Sequence, residues 1–203
     1  RDVPFWSAFD LLFSPRIWKS TYGNCPRKWA MSKALVKLFN RLVEDRINIR
    51  ALRSAGGQLQ RLADLYEEYR QLLSFNYRCD FSHLQERFLD FLSTPLGQSF
   101  LDGDISNNNA LQWVLVDEYQ DTNRIQEEIY MRLANRGDQN LVIVGDDDQA
   151  MYRFRGGSVE CMISFDTAVN IFLGLPKNSV TSYPLSINFR SHPDVVRFCD
   201  RYI

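Results

Sequence analysis

Two hydrophobic periods divide this chain. Up to about Leu101, apolar residues recur at helical spacing: Met31, Leu35, Leu38 and Leu42, then Leu59, Leu62, Tyr66, Tyr69 and Leu73, then Phe81, Leu84, Phe88 and Phe91. Arg, Lys and Glu fill the positions between them, so each stripe predicts an amphipathic helix with one face against its neighbours. Such stripes are helix–helix core rather than cofactor contacts. Ser54-Ala55-Gly56-Gly57 separates the first two helices. The opening, Phe5 to Trp29, is aromatic-rich, carries Pro15 and Pro26 with Pro4 just ahead of it, and reads as short helices and turns.

After the polar, turn-forming run Asp102-Gly103-Asp104-Ile105-Ser106-Asn107-Asn108-Asn109 the period changes. Val114-Leu115-Val116 and Asn140–Val144 are short apolar runs that predict buried strands. Between them, a helix from about Asn123 to Ala134 places Ile125, Ile129, Tyr130 and Leu133 on its inner face, with Asp121 or Thr122 as N-cap. A third strand is predicted between Val180 and Asn188, and a last amphipathic helix from near Pro193. Alternating strands and helices imply an α/β class with a parallel, doubly wound sheet, preceded by an all-helical subdomain.

The first two predicted strands both end in acid. Val116 runs into Asp117-Glu118-Tyr119-Gln120-Asp121, and Val144 runs into Gly145-Asp146-Asp147-Asp148-Gln149. The carboxyl ends of strands are where open α/β sheets bind ligands. Adjacent acids there repel unless a cation or a proton relay uses them, and Mg²⁺ with phosphate oxygens is the natural cation. A plain polar turn after a strand explains the pair equally well. Gln149 is uncharged and both donates and accepts, so it suits a terminal phosphate or a water. The three consecutive acids lack the alternating spacing of a calcium loop.

Tyr152-Arg153-Phe154-Arg155-Gly156-Gly157 alternates rings and guanidinium groups, which suits stacking on bases and pairing with phosphates of a single strand. Inward-packed rings, with arginines paired to Asp146–Asp148, are the plainer alternative. Leu185-Ser186-Ile187-Asn188-Phe189-Arg190-Ser191 delivers an aromatic and an arginine at a strand end. Arg190 could neutralise charge on a transferred phosphoryl group, and Phe189 could stack on a base ring.

Composition narrows the class without choosing a function. The 203 residues, 45% hydrophobic and 24% charged, suit one or two soluble domains. No apolar run approaches a membrane span. A net charge of −1 gives no global argument for nucleic-acid binding, which then needs a local surface. Cys25, Cys79, Cys161 and Cys199 are too scattered for zinc or an iron–sulfur cluster and read as reduced, cytoplasmic thiols. The chain opens on Arg1 rather than Met, which fits an internal segment of a longer protein.

In order, Val114–Asn123, Val144–Gly157 and Asn188–Ser191 resemble motifs II, III and IV of the UvrD/Rep/PcrA-like branch of superfamily 1 helicases. Cys79-Asp80-Phe81-Ser82-His83-Leu84 resembles the Asp-Phe-x-x-Leu segment ahead of motif II. The resemblance covers about Trp113 to Ile203, and the helical half is compatible with the family's inserted 1B domain. It implies a RecA-like P-loop NTPase sheet over residues 102–190, a 1B-like insertion over 1–101 and the start of a second motor domain over 191–203. Asp117 would hold Mg²⁺ through water, and Glu118 would be the general base. Gln149 and Arg190 would contact the γ-phosphate of ATP, and Phe189 would face the adenine. Tyr152 and Phe154, with Arg153 and Arg155, would lie along single-stranded DNA. The family more often has Trp at the Phe154 position and Tyr at the Phe189 position.

The implied activity is ATP-driven 3′-to-5′ translocation on single-stranded DNA and unwinding at single-strand/duplex junctions, in repair or replication. No Gly-x-x-x-x-Gly-Lys-Ser/Thr occurs in the 203 residues, so the segment alone is expected to bind ATP weakly and hydrolyse little or none. The alternatives are the motor part of a helicase–nuclease and a non-catalytic nucleic-acid-binding relative.

Overall fold

The computed structural model describes residues 28–103, 111–134, 140–149, 159–199 and 201. The aromatic opening up to Arg27, the polar run from Asp104 to Asn109 and the Tyr152–Arg155 segment lie outside the described residues.

Among the described residues, five helices lie in the first half: α1 (Lys28–Glu44), α2 (Ile49–Ser54), α3 (Gly57–Phe75), α4 (Phe81–Leu92) and α5 (Pro95–Asp102). Their starts are chemically marked. The Asn48 side chain accepts from the Ala51 N–H at 3.1 Å, and the Thr94 hydroxyl accepts from the Gly97 N–H at 3.1 Å with Pro95 entering the first turn. Gly103 ends α5 at a φ of 82°, a left-handed stop that a side chain would strain. Phe39, Leu65, Tyr66 and Leu92 are enclosed at the centre, with the Phe39 and Tyr66 rings edge-to-face at 5.5 Å.

Helix α4 follows its predicted stripe only in its second half, where Phe88 and Phe91 pack against the core. Phe81 is 85% exposed and Leu84 is exposed too, while Ser82, His83, Leu89 and Leu92 face inward. A polar hub sets the inward face of the first half. Asp80 Oδ1 accepts from the His83 N–H and from the ring Nδ1, both at 2.8 Å, and Asp80 Oδ2 accepts from the Tyr69 hydroxyl at 2.9 Å. Tyr66 Oη lies 3.3 Å from His83 Nε2, so the hub continues into the core. Satisfying buried polar groups outweighs burying two more apolar ones. Leu38 and Leu59 of the predicted stripes are also exposed.

In the second half, β1 (Val114–Val116) and β2 (Leu141–Ile143) pair in parallel, Val114 with Leu141, Leu115 with Val142 and Val116 with Ile143. Helix α6 (Arg124–Ala134) makes the crossover. Its cap is Asn123, not Asp121 or Thr122. Asn123 Oδ1 accepts from the Gln126 N–H and Gln126 Oε1 accepts from the Asn123 N–H, each at 3.0 Å, forming a capping box. Residues Tyr119–Asp121 form a tight 3₁₀ turn, and the Thr122 N–H bonds back to the Tyr119 carbonyl, so neither predicted cap is placed to serve.

Helix α6 is a wall shared by two cores. Ile125 and Ile129 join the first-half cluster. Met131 joins a second one with Tyr119, Cys161, Phe165, Ala168 and Val169, the last four from α7 (Val159–Ile163) and α8 (Phe165–Leu173). The strands are half-buried on one face and open on the other. Leu115 is 72% exposed and Val142 is exposed, because no described element covers that side. The parallel pairing is as predicted, and a second covering layer is not among the described residues. Residues 180–188 form no strand: they pair with nothing described, and Tyr183, Leu185 and Ile187 are exposed. A strand exists only against a partner edge. The last helix, α9 (Pro193–Cys199), starts at the predicted proline.

Candidate active site

Pairing extends past the strands and ties the two acidic loops together. The Val144 N–H donates to the Val116 carbonyl at 2.8 Å, and the Tyr119 N–H donates to the Val144 carbonyl at 2.9 Å. Asp117 and Glu118 are squeezed between these two bonds and are both exposed. Glu118 has φ 52° and ψ 44°, a left-handed conformation that costs a non-glycine residue about 1–2 kcal/mol. The next residue turns the other way. Tyr119 is fully buried, its ring edge-on to Phe165 at 5.4 Å and its hydroxyl donating to Glu127 Oε1 at 3.2 Å. Burial pushes the Tyr119 phenol well up, reinforced by the Glu127 charge. Burial also pushes the Glu127 carboxyl up, against the pull of the Tyr119 hydrogen bond and Arg124.

Gln120 completes the join. It is 4% exposed, its Nε2 donates to Glu118 Oε2 at 2.6 Å, and its Oε1 accepts from the Asp146 N–H at 3.1 Å. A side chain on Gly145 would crowd this join: a Cβ there would lie 2.6 Å from Gln120 Oε1 and 3.2 Å from the Tyr119 nitrogen. Asp146 then organises the turn Asp147–Gln149. Its Oδ1 accepts from the Asp148 N–H at 3.2 Å, and its Oδ2 accepts from Gln149 Nε2. Glu118, Gln120, Asp146 and Gln149 thus form one unbroken hydrogen-bonded chain across the two loops.

Of the predicted site residues, Asp117, Glu118 and Gln149 come together. Phe189 and Arg190 lie on an exposed stretch, where Asn188 Oδ1 accepts from the Arg190 and Ser191 N–H groups at 2.9 Å. Among the described residues, no hydrogen bond or ion pair joins Arg190 to the acidic loops. Tyr152, Arg153, Phe154 and Arg155 are outside the described residues. Sequence reasoning missed Gln120 and Asp146 as a bridge. The signal was two polar residues at strand ends, which becomes specific only once the register is known.

The donor set suits a hydrated Mg²⁺. Asp117 Oδ1 is held by the Glu118 N–H at 2.9 Å, and Oδ2 has no partner among the described residues, leaving a single oriented oxygen at a strand end. Carboxylate oxygens of Asp146, Asp147 and Asp148 lie within 4.8 Å of one another, but all three residues are exposed, and Asp146 is already engaged by the turn. Among the described residues, no helix is long and apolar enough to cross a membrane.

A parallel β–α–β unit with its polar loops joined at the carboxyl ends is an α/β arrangement, and strand ends of this kind are where open α/β sheets bind ligands. Residues 13–170 match the UvrD/REP helicase N-terminal domain, and the chain belongs to that family. It is similar to the ATP-dependent DNA helicase PcrA of Bacillus subtilis (strain 168), at 34% identity over 151 residues, covering 73% of this chain and 18% of that relative. It is also similar to proteins of the same description from Staphylococcus epidermidis (strain ATCC 35984), at 35% identity, and Staphylococcus aureus (strain Mu50), at 34%, each over 108 residues, 53% of this chain and 14% of the relative. The chain spans less than a fifth of the length of these curated relatives.

Proposed function

We propose that this chain is part of an ATP-dependent DNA helicase of the cytoplasm, working on single-stranded DNA and on junctions of single and double strands. The observation that carries this reading is the pair of acidic loops fixed side by side at the ends of two parallel strands, in a chain of the UvrD/REP family. In this reading the β–α–β unit belongs to a RecA-like core over residues 102–190. The helices of 1–101 are an insertion of the 1B type, and 191–203 begins a second motor domain.

Asp117 would hold the metal through water with Oδ2, which has no partner among the described residues. Magnesium, when bound, supplies charge neutralisation at the phosphates. Glu118 takes the proton of the attacking water. Its Oε2 is held by Gln120, so Oε1 is the oxygen left to act as base. Gln149 contacts the terminal phosphate, Arg190 neutralises charge developing there, and Phe189 stacks on adenine. Tyr152, Arg153, Phe154 and Arg155 track the DNA strand, giving 3′-to-5′ movement. The loop that cradles the phosphates is supplied by other sequence of the parent protein, so the segment alone is inactive.

The test is ATP hydrolysis by the full-length protein with and without single-stranded DNA. Strong stimulation by DNA supports the reading. Tight DNA binding without any hydrolysis would instead favour a non-catalytic relative.

A further inference from the structure

We infer that Gln120 is a positioning residue that holds Glu118 as the base and couples it to the Gln149 loop. The inference rests on the functional reading above and adds to it a residue that the motif roles leave unassigned.

The amide can sit only one way. The Glu118 carboxylate accepts and cannot donate, so it must face Nε2. The Asp146 N–H donates and cannot accept, so it must face Oε1. Reversing the amide would break both bonds at once. Gln120 is enclosed, and Gly145 packs against its oxygen, which leaves it little freedom to re-aim. The amide is also rigid and planar. Any movement of the Asp146 backbone therefore displaces the acceptor end, and the donor end on Glu118 moves with it. Asp146 in turn holds the Gln149 side chain through Oδ2. Contact at Gln149 thereby reaches Gln120 Nε2, the donor that orients the base, through three hydrogen bonds.

Glutamate at this position separates the two ends of the bridge. Gln120→Glu keeps an acceptor for the Asp146 N–H and replaces the donor to Glu118 by a second carboxylate. Glu118 then loses its hydrogen bond while the Asp146 N–H keeps an acceptor.

The experiment is DNA-stimulated ATP turnover by full-length wild type, Gln120→Glu and Gln120→Met at neutral pH, with kcat and KM measured separately. The expected result is a kcat lowered at least about tenfold in both variants with a KM for ATP changed by less than about threefold, because the base loses its hydrogen bond while ATP contacts stay. A kcat within about twofold of wild type, or a KM that rises in step with the loss of kcat, overturns the inference. If Gln120→Glu does not fold, Gln120→Met carries the test by the same kcat and KM criteria. A wild-type protein without DNA-stimulated turnover would remove the functional reading itself. An active wild type with unchanged kcat in the variants would remove only this inference.

Discussion

Asp80-Phe81 and Glu118-Tyr119 are the same pair of residue types turned inside out. At Asp80 the acid is inward and the aromatic outward. At Glu118 the aromatic is fully buried and the acid exposed. The Asp80 carboxylate takes three hydrogen bonds, from the His83 N–H, the His83 ring and the Tyr69 hydroxyl. Burial by itself would raise its pKa, but those donors prevail and hold the carboxyl below the usual carboxylate range. Glu118 receives one side-chain donor and sits in a strained backbone conformation. A carboxylate saturated with local donors has nothing left for a ligand. One that is aimed by a single bond and left open does.

The largest break in this comparison should come from Glu118→Gly in the full-length protein. Removing the base should lower DNA-stimulated turnover by about 10²–10⁴-fold. Glu118→Gly and Glu118→Ala both lose the bond to Gln120, but only glycine tolerates the left-handed backbone, so Glu118→Gly should be the more stable of the two by about 1 kcal/mol. A Glu118→Gly no more stable than Glu118→Ala would contradict the assignment of strain to this residue.

Asp80→Ala should do the reverse. Losing the helix cap and leaving Tyr69 and His83 without their acceptor should cost about 2–3 kcal/mol, with turnover per folded molecule unchanged. The pH dependence follows from the sign of the shift. A carboxyl whose folded-state pKa is lowered stabilises the fold above its unfolded pKa. That stability is lost as pH falls through the folded value. Acid titration of stability below the usual carboxylate range should therefore be shallower in Asp80→Ala than in wild type.

Gly145→Ala crowds Gln120 and the Tyr119–Gln120 backbone, and should destabilise by about 1–2 kcal/mol. Its turnover should fall further than that stability loss explains, because Gln120 is displaced from Glu118. The smallest effect belongs to Asn123→Ala. Loss of the capping box should cost about 1 kcal/mol by thermal or denaturant melting and leave turnover alone.

Much of the fold is legible in the chain because local chemistry decides it. The helical stripes, the Pro193 start and the parallel strands at Val114 and Leu141 follow from periodicity and turn residues. What was not legible depends on partners distant in sequence. The inward face of the first half of α4 is set by Tyr66 and Tyr69 reaching His83 and Asp80, so the stripe misled there. Residues 180–188 have strand-like alternation but no described edge to pair with. At the site, Asp117, Glu118 and Gln149 could be read from their order after apolar runs. Gln120 could not. A glutamine in a polar turn resembles a surface residue until the Val116–Ile143 register brings Asp146 to its oxygen.

In the proposed reading the open acid at the end of β1 does the chemistry. Glu118→Gln tests it most directly, since the amide oxygen can still accept from Gln120 while no base remains. In the full-length protein, DNA-stimulated ATP turnover should fall by about 10²–10⁴-fold with melting temperature and single-stranded DNA binding near wild type. Turnover within about twofold of wild type would contradict the account.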